Sequence, residues 1–216
     1  MGNKVHPIAF RLGNLYTWSS RWFGEGKRYQ DFLIEDVKLR ESLMKRLKPA
    51  GIARVDIERS INKVEVIVHV ARPGVVIGRG GAGVEDLKKE IAATLKINSN
   101  DKRAAKLEVK VEPVKEPNLN AYFVASNIAD QLVKRMPAKR VMSQAIEKTM
   151  AVGAKGVRVR LGGRINGAEI ARVQHDQRGV LPLSTIREDI DFASVPALTR
   201  SGYVGVKVWI SRKKEG

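Results

Sequence analysis

The chain has 216 residues, a hydrophobic content of 43% and a formal net charge of +17 at pH 7. This size and hydrophobicity allow one large or two small folded domains and exclude a chain that is disordered throughout. The excess positive charge predicts a polyanionic partner, nucleic acid ahead of an anionic membrane. No segment has the roughly 18 consecutive apolar residues of a membrane span, so we expect no membrane contact. Because cysteine is absent, disulfides and thiolate metal sites are excluded.

Residues 1–24 contain three basic residues and no acidic residue, and glycine, proline and aromatic residues interrupt any regular period. We interpret this segment as an extended N-terminal arm that lies on a partner. The alternative is a tail that packs on its own domain through its aromatic residues.

The next segment, residues 25–113, has the element order of a type II KH domain. Apolar spacing predicts a helix over residues 35–48, and period-two alternation predicts strands at residues 54–60, 64–70 and 107–111. A second helix follows the glycines near residue 80, and residues 98–102 are expected to form a polar loop. A dinucleotide-binding unit is a poor match, because Pro73 and Gly74 separate the strand from the glycines.

Two motifs overlap in these glycines. Gly78-Arg79-Gly80-Gly81 fits the G-x-x-G loop with which a KH domain clamps four nucleotides of single-stranded RNA. Gly78, Gly80 and Gly83 also fit the dinucleotide fingerprint, and a simple connecting turn is a third alternative. Since the element order favours a KH domain, we predict an RNA-binding KH loop consisting of Ile77, Gly78, Arg79, Gly80 and Gly81.

Residues 114–117 predict a short, stiff linker, and residues 118–211 predict a second α/β domain. One helix ends at Pro137 and another covers residues 138–152, while residues 157–161 and 204–210 alternate as strands. Residues 169–177 and 184–192 are further extended candidates. The predicted fold class is therefore α+β, with a type II KH domain followed by two helices packed on a mixed four-stranded sheet. Residues 212–216 are a short basic C-terminal stub.

Positive charge is concentrated in the second domain. Residues 132–172 contain ten basic residues against Glu147 and Glu169 alone. A merely solvated surface usually mixes both signs, so this excess favours a face that contacts RNA. Four of these residues bracket the helix break at Pro137 and suit a phosphate backbone, which they would recognise by charge and not by base sequence: Lys134, Arg135, Lys139 and Arg140.

Motifs for catalysis and for metal binding are absent. The three histidines lie far apart in the sequence, and no nucleotide-binding phosphate loop, zinc-protease motif or nucleophile elbow is present. We therefore expect no enzyme activity, no cofactor and no metal.

Several long strings carry a more specific signal. They are residues 1–7 and 10–13, Ala71–Gly78, Gly163–Arg172, Asp189–Asp191 and Gly205–Ile210. In these strings, and over nearly its whole length, the chain resembles the family of the third protein of the bacterial small ribosomal subunit. The KH pattern alone would also fit a free-standing RNA chaperone or regulator, which has no need of the other strings.

The resemblance implies a structural constituent of the small-subunit head in the cytoplasmic ribosome. Such a protein binds small-subunit ribosomal RNA, lines the channel where messenger RNA enters and lies beside other small-subunit proteins of the head and of that channel. The cluster around Pro137 would then grip incoming message and help to unwind it. Ser143 occupies a position where many members carry a third basic residue, and Arg79-Gly80-Gly81 replaces the usual Lys-Lys-Gly. Ribosomal RNA contacts are expected at Lys4, Arg11, Arg21, Arg72, Arg158, Arg160, Arg164 and Arg172.

Overall fold

The computed structural model describes residues 4–95 and 106–213. These residues form two compact units, one made of the described residues up to Thr17 with those from Glu116 onwards, the other of Trp18–Lys115. The division between Lys115 and Glu116 falls within the predicted 114–117 linker. Residues 1–3, the predicted loop at 98–102 and the last three residues of the predicted stub lie outside the described residues.

The described residues alternate between helices and strands. The α-helices are α1 (Pro7–Phe10), α2 (Gly26–Arg46), α3 (Pro73–Ile77), α4 (Ala82–Thr94), α5 (Ala121–Val133) and α6 (Ala138–Ala151). The strands are β1 (Ser20–Arg21), β2 (Ile52–Arg59), β3 (Lys63–Val70), β4 (Lys106–Pro113), β5 (Gly156–Gly163), β6 (Arg172–Gly179), β7 (Ile190–Thr199) and β8 (Gly202–Ser211).

The unit Trp18–Lys115 has the element order of a type II KH domain. Its sheet has the order β1-β2-β3-β4, with β2 and β3 antiparallel and both outer pairs parallel. Alternation along β3 places four valines in the core beneath α2 and α4: Val64, Val66, Val68 and Val70. The KH assignment made from the sequence is therefore confirmed.

Strand β1 was not predicted, and a buried carboxylate holds the segment around it in the KH unit. Asp36 on α2 accepts hydrogen bonds from Ser20 Oγ at 2.9 Å and from Trp22 Nε1 at 2.8 Å. Arg59 on β2 donates to the same carboxylate at 2.5 and 3.0 Å. Because this network satisfies a buried charge, residues 18–24 fold as part of the KH unit and not as an extended arm.

Helix α2 begins at Gly26, nine residues before the predicted start at residue 35. Its second half buries Leu39 and Leu43, which produced the sequence pattern, whereas Tyr29 and Leu33 in its first half are exposed. The start was missed because amphipathic spacing reveals a helix only where one of its faces is buried.

The other unit packs α5 and α6 on one face of a four-stranded sheet with the order β6-β5-β8-β7. The core between them contains Ile128, Ile146 and the inward residues of β5 and β8, such as Val159 and Val208. The two helices and four strands match the prediction. The pairing in this sheet is antiparallel throughout and not mixed. The connections from β5 to β6 and from β7 to β8 are too short for the crossover that a parallel pair requires.

Residues up to Thr17 pack on this second unit through Arg11. The guanidinium of Arg11 is completely buried and donates to the backbone carbonyls of Glu188 at 2.7 Å, Thr185 at 2.9 Å and Leu183 and Pro7 at 3.0 Å. The prediction of an extended arm is therefore wrong for these residues. A buried guanidinium persists only where acceptors satisfy its donors, and here the acceptors are backbone carbonyls.

The same network explains why one of the two extended candidates is displaced. Strand β6 begins at Arg172 and contains most of the candidate segment 169–177, whereas strand β7 begins at Ile190, after most of the candidate segment 184–192. The carbonyls of Leu183, Thr185 and Glu188 accept from Arg11 and do not join the sheet. Strand β7 lies at the edge of the sheet, where Pro196 is tolerated because no neighbour needs its missing donor.

Candidate nucleic-acid interface

The KH loop connects α3 to α4 through glycines whose backbone conformation other residues adopt only with strain. Gly78, Gly80 and Gly81 have φ values of +69°, +61° and +83°, in the left-handed region where a Cβ is strained. Space around Gly80 and Gly81 is open, and Arg79, between Gly78 and Gly80, is exposed. A phosphate can therefore approach the loop backbone without meeting a side chain.

Gly83, the third glycine of the competing dinucleotide motif, serves packing between helices. A Cβ at this position would lie 2.3 Å from the carbonyl oxygen of Val76, so α4 approaches α3 only because Gly83 has no side chain. In a dinucleotide-binding unit the corresponding glycine packs a helix against a strand. The local geometry therefore supports the KH assignment.

Apolar side chains flank the KH loop on α3. Val75 is 58% exposed and Ile77 is 42% exposed, which is high for β-branched residues in a folded domain. Nearby Arg72 donates to the carbonyl oxygen of Pro49 at 2.6 Å, so part of its guanidinium is already used. The loop thus combines one cation, Arg79, with an apolar surface for bases.

The exposed face of the KH sheet is charge-balanced and contrasts with the surfaces described below. His69 lies between Asp56 at 3.3 Å and Glu112 at 3.4 Å. Burial would raise the pKa of Asp56, but hydrogen bonds from His69 and Arg54 outweigh burial and lower it. Further ion pairs join Lys63, Glu65, Glu108 and Lys110. Because each cation faces a carboxylate, this face is poorly suited to phosphate.

The basic corner, defined as Lys134, Arg135, Lys139 and Arg140, is exposed at the turn between α5 and α6. Arg135 has φ +64°, and its N–H donates to the carbonyl of Leu132 at 2.9 Å. This left-handed position after a helix end is usually glycine. The first turn of α6, which carries Lys139 and Arg140, has no acidic residue and no side-chain cap. The cations of the basic corner therefore lie at a helix start that has no carboxylate to neutralise them.

A cavity of about 430 Å³ borders the basic corner and joins it to another predicted residue. Arg135, Arg164 and Arg200 line this cavity, and its lining contains no carboxylate. Arg164 is held in place by the carbonyls of Ala168 at 2.8 Å and Ser201 at 3.3 Å. Arg200 was missed because it lies in the turn between β7 and β8. The sequence alone does not show that this turn lies close to the end of α5.

A second basic surface lies on the sheet of the same unit, on the face opposite α5 and α6. Arg158 and Arg160 on β5 and Lys4 near the N-terminus line one cavity with Lys207 on β8. Lys207 is directly opposite Arg160 in the register of β5 and β8. The alternation along β8 could have placed Lys207 on the outer face. Identifying Arg160 as its neighbour required the order of the strands.

The remaining predicted residues lie apart from these groups. Arg172 is exposed at the start of β6, and Arg21 on β1 forms an exposed ion pair with Glu58 at 3.1 Å. Arg11 is withdrawn as an RNA contact, because all of its donors are turned inwards to carbonyl groups. Within residues 4–95 and 106–213, no cluster of three or more His, Asp or Glu could hold a metal ion. None of the described helices is both long and apolar enough to span a membrane.

Comparison with known proteins gives the same two-part division. Residues 38–119 match the family described as KH domain, and residues 128–210 match the family described as Ribosomal protein S3, C-terminal domain. Small ribosomal subunit protein uS3 of Hydrogenovibrio crunogenus is 45% identical over 97% of this chain and 89% of its own length. Proteins with the same name from Listeria welshimeri and Dinoroseobacter shibae are 45% and 46% identical, covering 98% and 97% of this chain and 93% and 84% of their own lengths.

The chain belongs to the uS3 family.

Membership in the uS3 family confirms the resemblance drawn from the sequence. The chain is a constituent of the small ribosomal subunit, works in translation in the cytoplasmic ribosome and is not an enzyme. Its KH domain is an RNA-binding fold, so ribosomal RNA and other ribosomal components are its general class of partner.

Proposed function

We propose that this uS3 protein lines the channel through which messenger RNA enters the head of the small subunit, and that the basic corner grips the message there. The observation that carries the proposal is the exposure of four cations at one helix junction, none of them ion-paired within the described residues. A surface with this composition attracts a phosphate backbone.

The chemistry of the corner suits a strand that must move. Lysine and arginine contacts to phosphate carry no base information, so each nucleotide of a message is held equally well. Arg135 adds a planar guanidinium beside the compact charges of Lys134 and Lys139, and such a fork can bind two phosphate oxygens at once. The grip is therefore independent of sequence and falls with ionic strength.

Help in unwinding follows from holding one strand. Lys139 and Ser143 are four residues apart on α6 and share a face, with Arg140 beside them. Cations that bind the backbone of a single strand stabilise it relative to the duplex. The resemblance implies a third basic residue at the position of Ser143, so in this chain unwinding depends on Lys139 and Arg140 and is less strongly supported than binding.

Ribosomal RNA is assigned to the other basic surfaces. The KH loop clamps single-stranded RNA through Arg79 and its open glycine backbone, while ribosomal RNA phosphates contact Lys4, Arg21, Arg72, Arg158, Arg160, Arg164 and Arg172. Neighbouring small-subunit proteins of the head and of the messenger channel complete the environment of the chain.

The test is translation through structured message with Lys139→Ala and Arg140→Ala combined. The proposal predicts that, relative to the wild type, the double variant slows translation more through a stable hairpin than through an unstructured message of equal length. Lys38→Ala with Lys45→Ala removes two exposed cations from α2 and serves as the matched control. Equal slowing on both messages would indicate a defect in subunit assembly and would contradict the proposal.

A further inference from the structure

The sheet face opposite α5 and α6 carries an ordered set of side chains, and we name it the open face. Two rows cross it in register. One row contains Phe192 on β7, Trp209 on β8 and Arg158 on β5, and the next contains Ser194, Lys207 and Arg160. Their neighbours along each strand, such as Val208 and Val159, point into the core. The open face is therefore aromatic at one row and cationic across both.

Three rings and a guanidinium form a continuous line on this face. The ring of His6 packs edge-on against Phe192 with centroids 4.9 Å apart, and Phe192 lies 5.1 Å from Trp209 at an interplanar angle of 39°. The guanidinium carbon of Arg158 is 5.8 Å from the centroid of the Trp209 ring. The row thus offers flat surfaces of a kind on which nucleobases stack.

The charge around this row has one sign. The cavity over the open face, about 630 Å³, is lined by four cations and contains no carboxylate: Lys4, Arg158, Arg160 and Lys207. The Nε–H of Arg158 is buried and has no hydrogen-bond partner among the described residues. A buried donor without an acceptor is costly, so the hydrogen-bonding capacity of Arg158 is not fully used by the described residues.

Two glycines next to the cationic row leave the floor of the open face, that is the sheet backbone itself, without side chains. Gly162 on β5 and Gly205 on β8 are directly opposite each other, one step past Arg160 and Lys207. A Cβ at Gly205 would have only one neighbour, the carbonyl oxygen of Gly162 at 3.7 Å. Glycine in a strand interior weakens the strand, and it often marks a place where another backbone approaches closely.

We propose that the open face is a stacking platform for unpaired nucleotides of RNA, a third RNA site in addition to the basic corner and the KH loop. Bases stack on Phe192 and Trp209, and phosphates lie over Arg160 and Lys207. The proposal rests on the RNA-binding function proposed above and adds a binding mode to it, base stacking, that the basic corner lacks. A protein segment would match the four cations only with several carboxylates of its own, whereas a single strand brings flat bases and regular negative charge together.

Two variants of the full chain test this mode. Trp209→Leu removes the stacking ring and keeps an apolar side chain, and Gly205→Val fills the clear floor without changing charge. Each should lower affinity for a fluorescent oligouridylate of about eight nucleotides by about tenfold. Neither should change affinity for a duplex of about 16 base pairs, whose bases are already stacked. The valine variant also controls for folding, because its Cβ meets only an ordinary contact and valine favours strands.

The pattern of losses separates this proposal from the one on which it rests. Lys139→Ala with Arg140→Ala should weaken binding of both the oligouridylate and the duplex. If Trp209→Leu and Gly205→Val leave oligouridylate affinity unchanged while the corner variant lowers it, the stacking platform is refuted and the basic corner stands. If all three variants bind as the wild type does, both proposals fail.

Cross-linking in intact small subunits identifies the source of the nucleotide. Ultraviolet cross-links from the peptide containing Trp209 to ribosomal RNA in subunits without message would support the platform and assign it to ribosomal RNA. Cross-links that form only when message is added would support it and assign it to message. A Trp209 peptide that cross-links solely to a neighbouring protein would overturn the proposal.

Discussion

Arg135→Gly separates the backbone conformation of the basic corner from its charge. Arg135 has φ +64°, in the left-handed region, where a residue with a Cβ costs about 1–2 kcal/mol relative to glycine. Glycine also destabilises the folded state by about 0.5–1 kcal/mol, because it increases the conformational entropy of the unfolded chain. The substitution should therefore stabilise the second unit by roughly 0.5–1 kcal/mol, although it removes a functional side chain.

RNA binding should change in the opposite direction. If Arg135 contacts one phosphate, its loss reduces the log–log salt slope by about 0.7 and lowers affinity by about fivefold at roughly 0.1 M salt. Hydrogen exchange of the β5 and β8 amides measures the first effect, and titration with single-stranded RNA at several salt concentrations measures the second. Arg135→Lys keeps both the charge and the strained backbone and should leave both quantities near the wild-type values. An Arg135→Gly variant with unchanged RNA affinity would refute the functional reading of this strained residue.

Three further predictions concern the stability and chemistry of the other elements. Arg11→Met should destabilise the second unit by about 3 kcal/mol, because several carbonyls lose their donor. The β7 amides should then exchange faster than in the wild type, and slower exchange would contradict this prediction. Arg79→Asp with Gly80→Asp should weaken single-stranded RNA binding while the fold persists, since aspartate tolerates the left-handed region of Gly80. Gly80→Asn is the uncharged control. Equal loss of affinity in both variants would indicate a steric effect. Burial lowers the pKa of His6 from 6.5, and its Nδ1 accepts from the Ala9 N–H, so this stabilisation of α1 is complete above pH 6.5 and is lost as pH falls below it. Exchange of the Phe10 amide, corrected for its intrinsic pH dependence, should therefore show less protection at acidic pH in the wild type, with no such change in His6→Gln.

Strands β2 to β4 and helix α4 of the KH unit could be derived from the sequence, because their signals are local, whereas β1 and the first half of α2 could not. Alternating valines in β3 and the glycines after α3 each mark an element without reference to distant residues. The role of Gly83 could not be derived, because packing of α4 against Val76 depends on three-dimensional approach. For the same reason a motif of three glycines fitted two folds until the element order separated them.

The second unit shows what the sequence leaves open. Ten basic residues predicted a positive surface, but the sequence did not show that four of them form the basic corner, whereas Arg158 and Arg160 lie on the open face. Arg11 was expected to contact ribosomal RNA, but backbone carbonyls of a loop distant in sequence accept its hydrogen bonds. Phe192 and Trp209 each fit an ordinary strand pattern, and their pairing follows only from the order β8-β7.

The most direct test of the central claim is cross-linking of message to the intact small subunit. A message carrying photoreactive nucleotides downstream of the decoding position should cross-link to the segment from Lys134 to Arg140, and the yield should fall when Lys139 and Arg140 are replaced by alanine. Cross-links confined to other small-subunit proteins, with none in this segment, would contradict the proposal that this uS3 protein grips incoming messenger RNA.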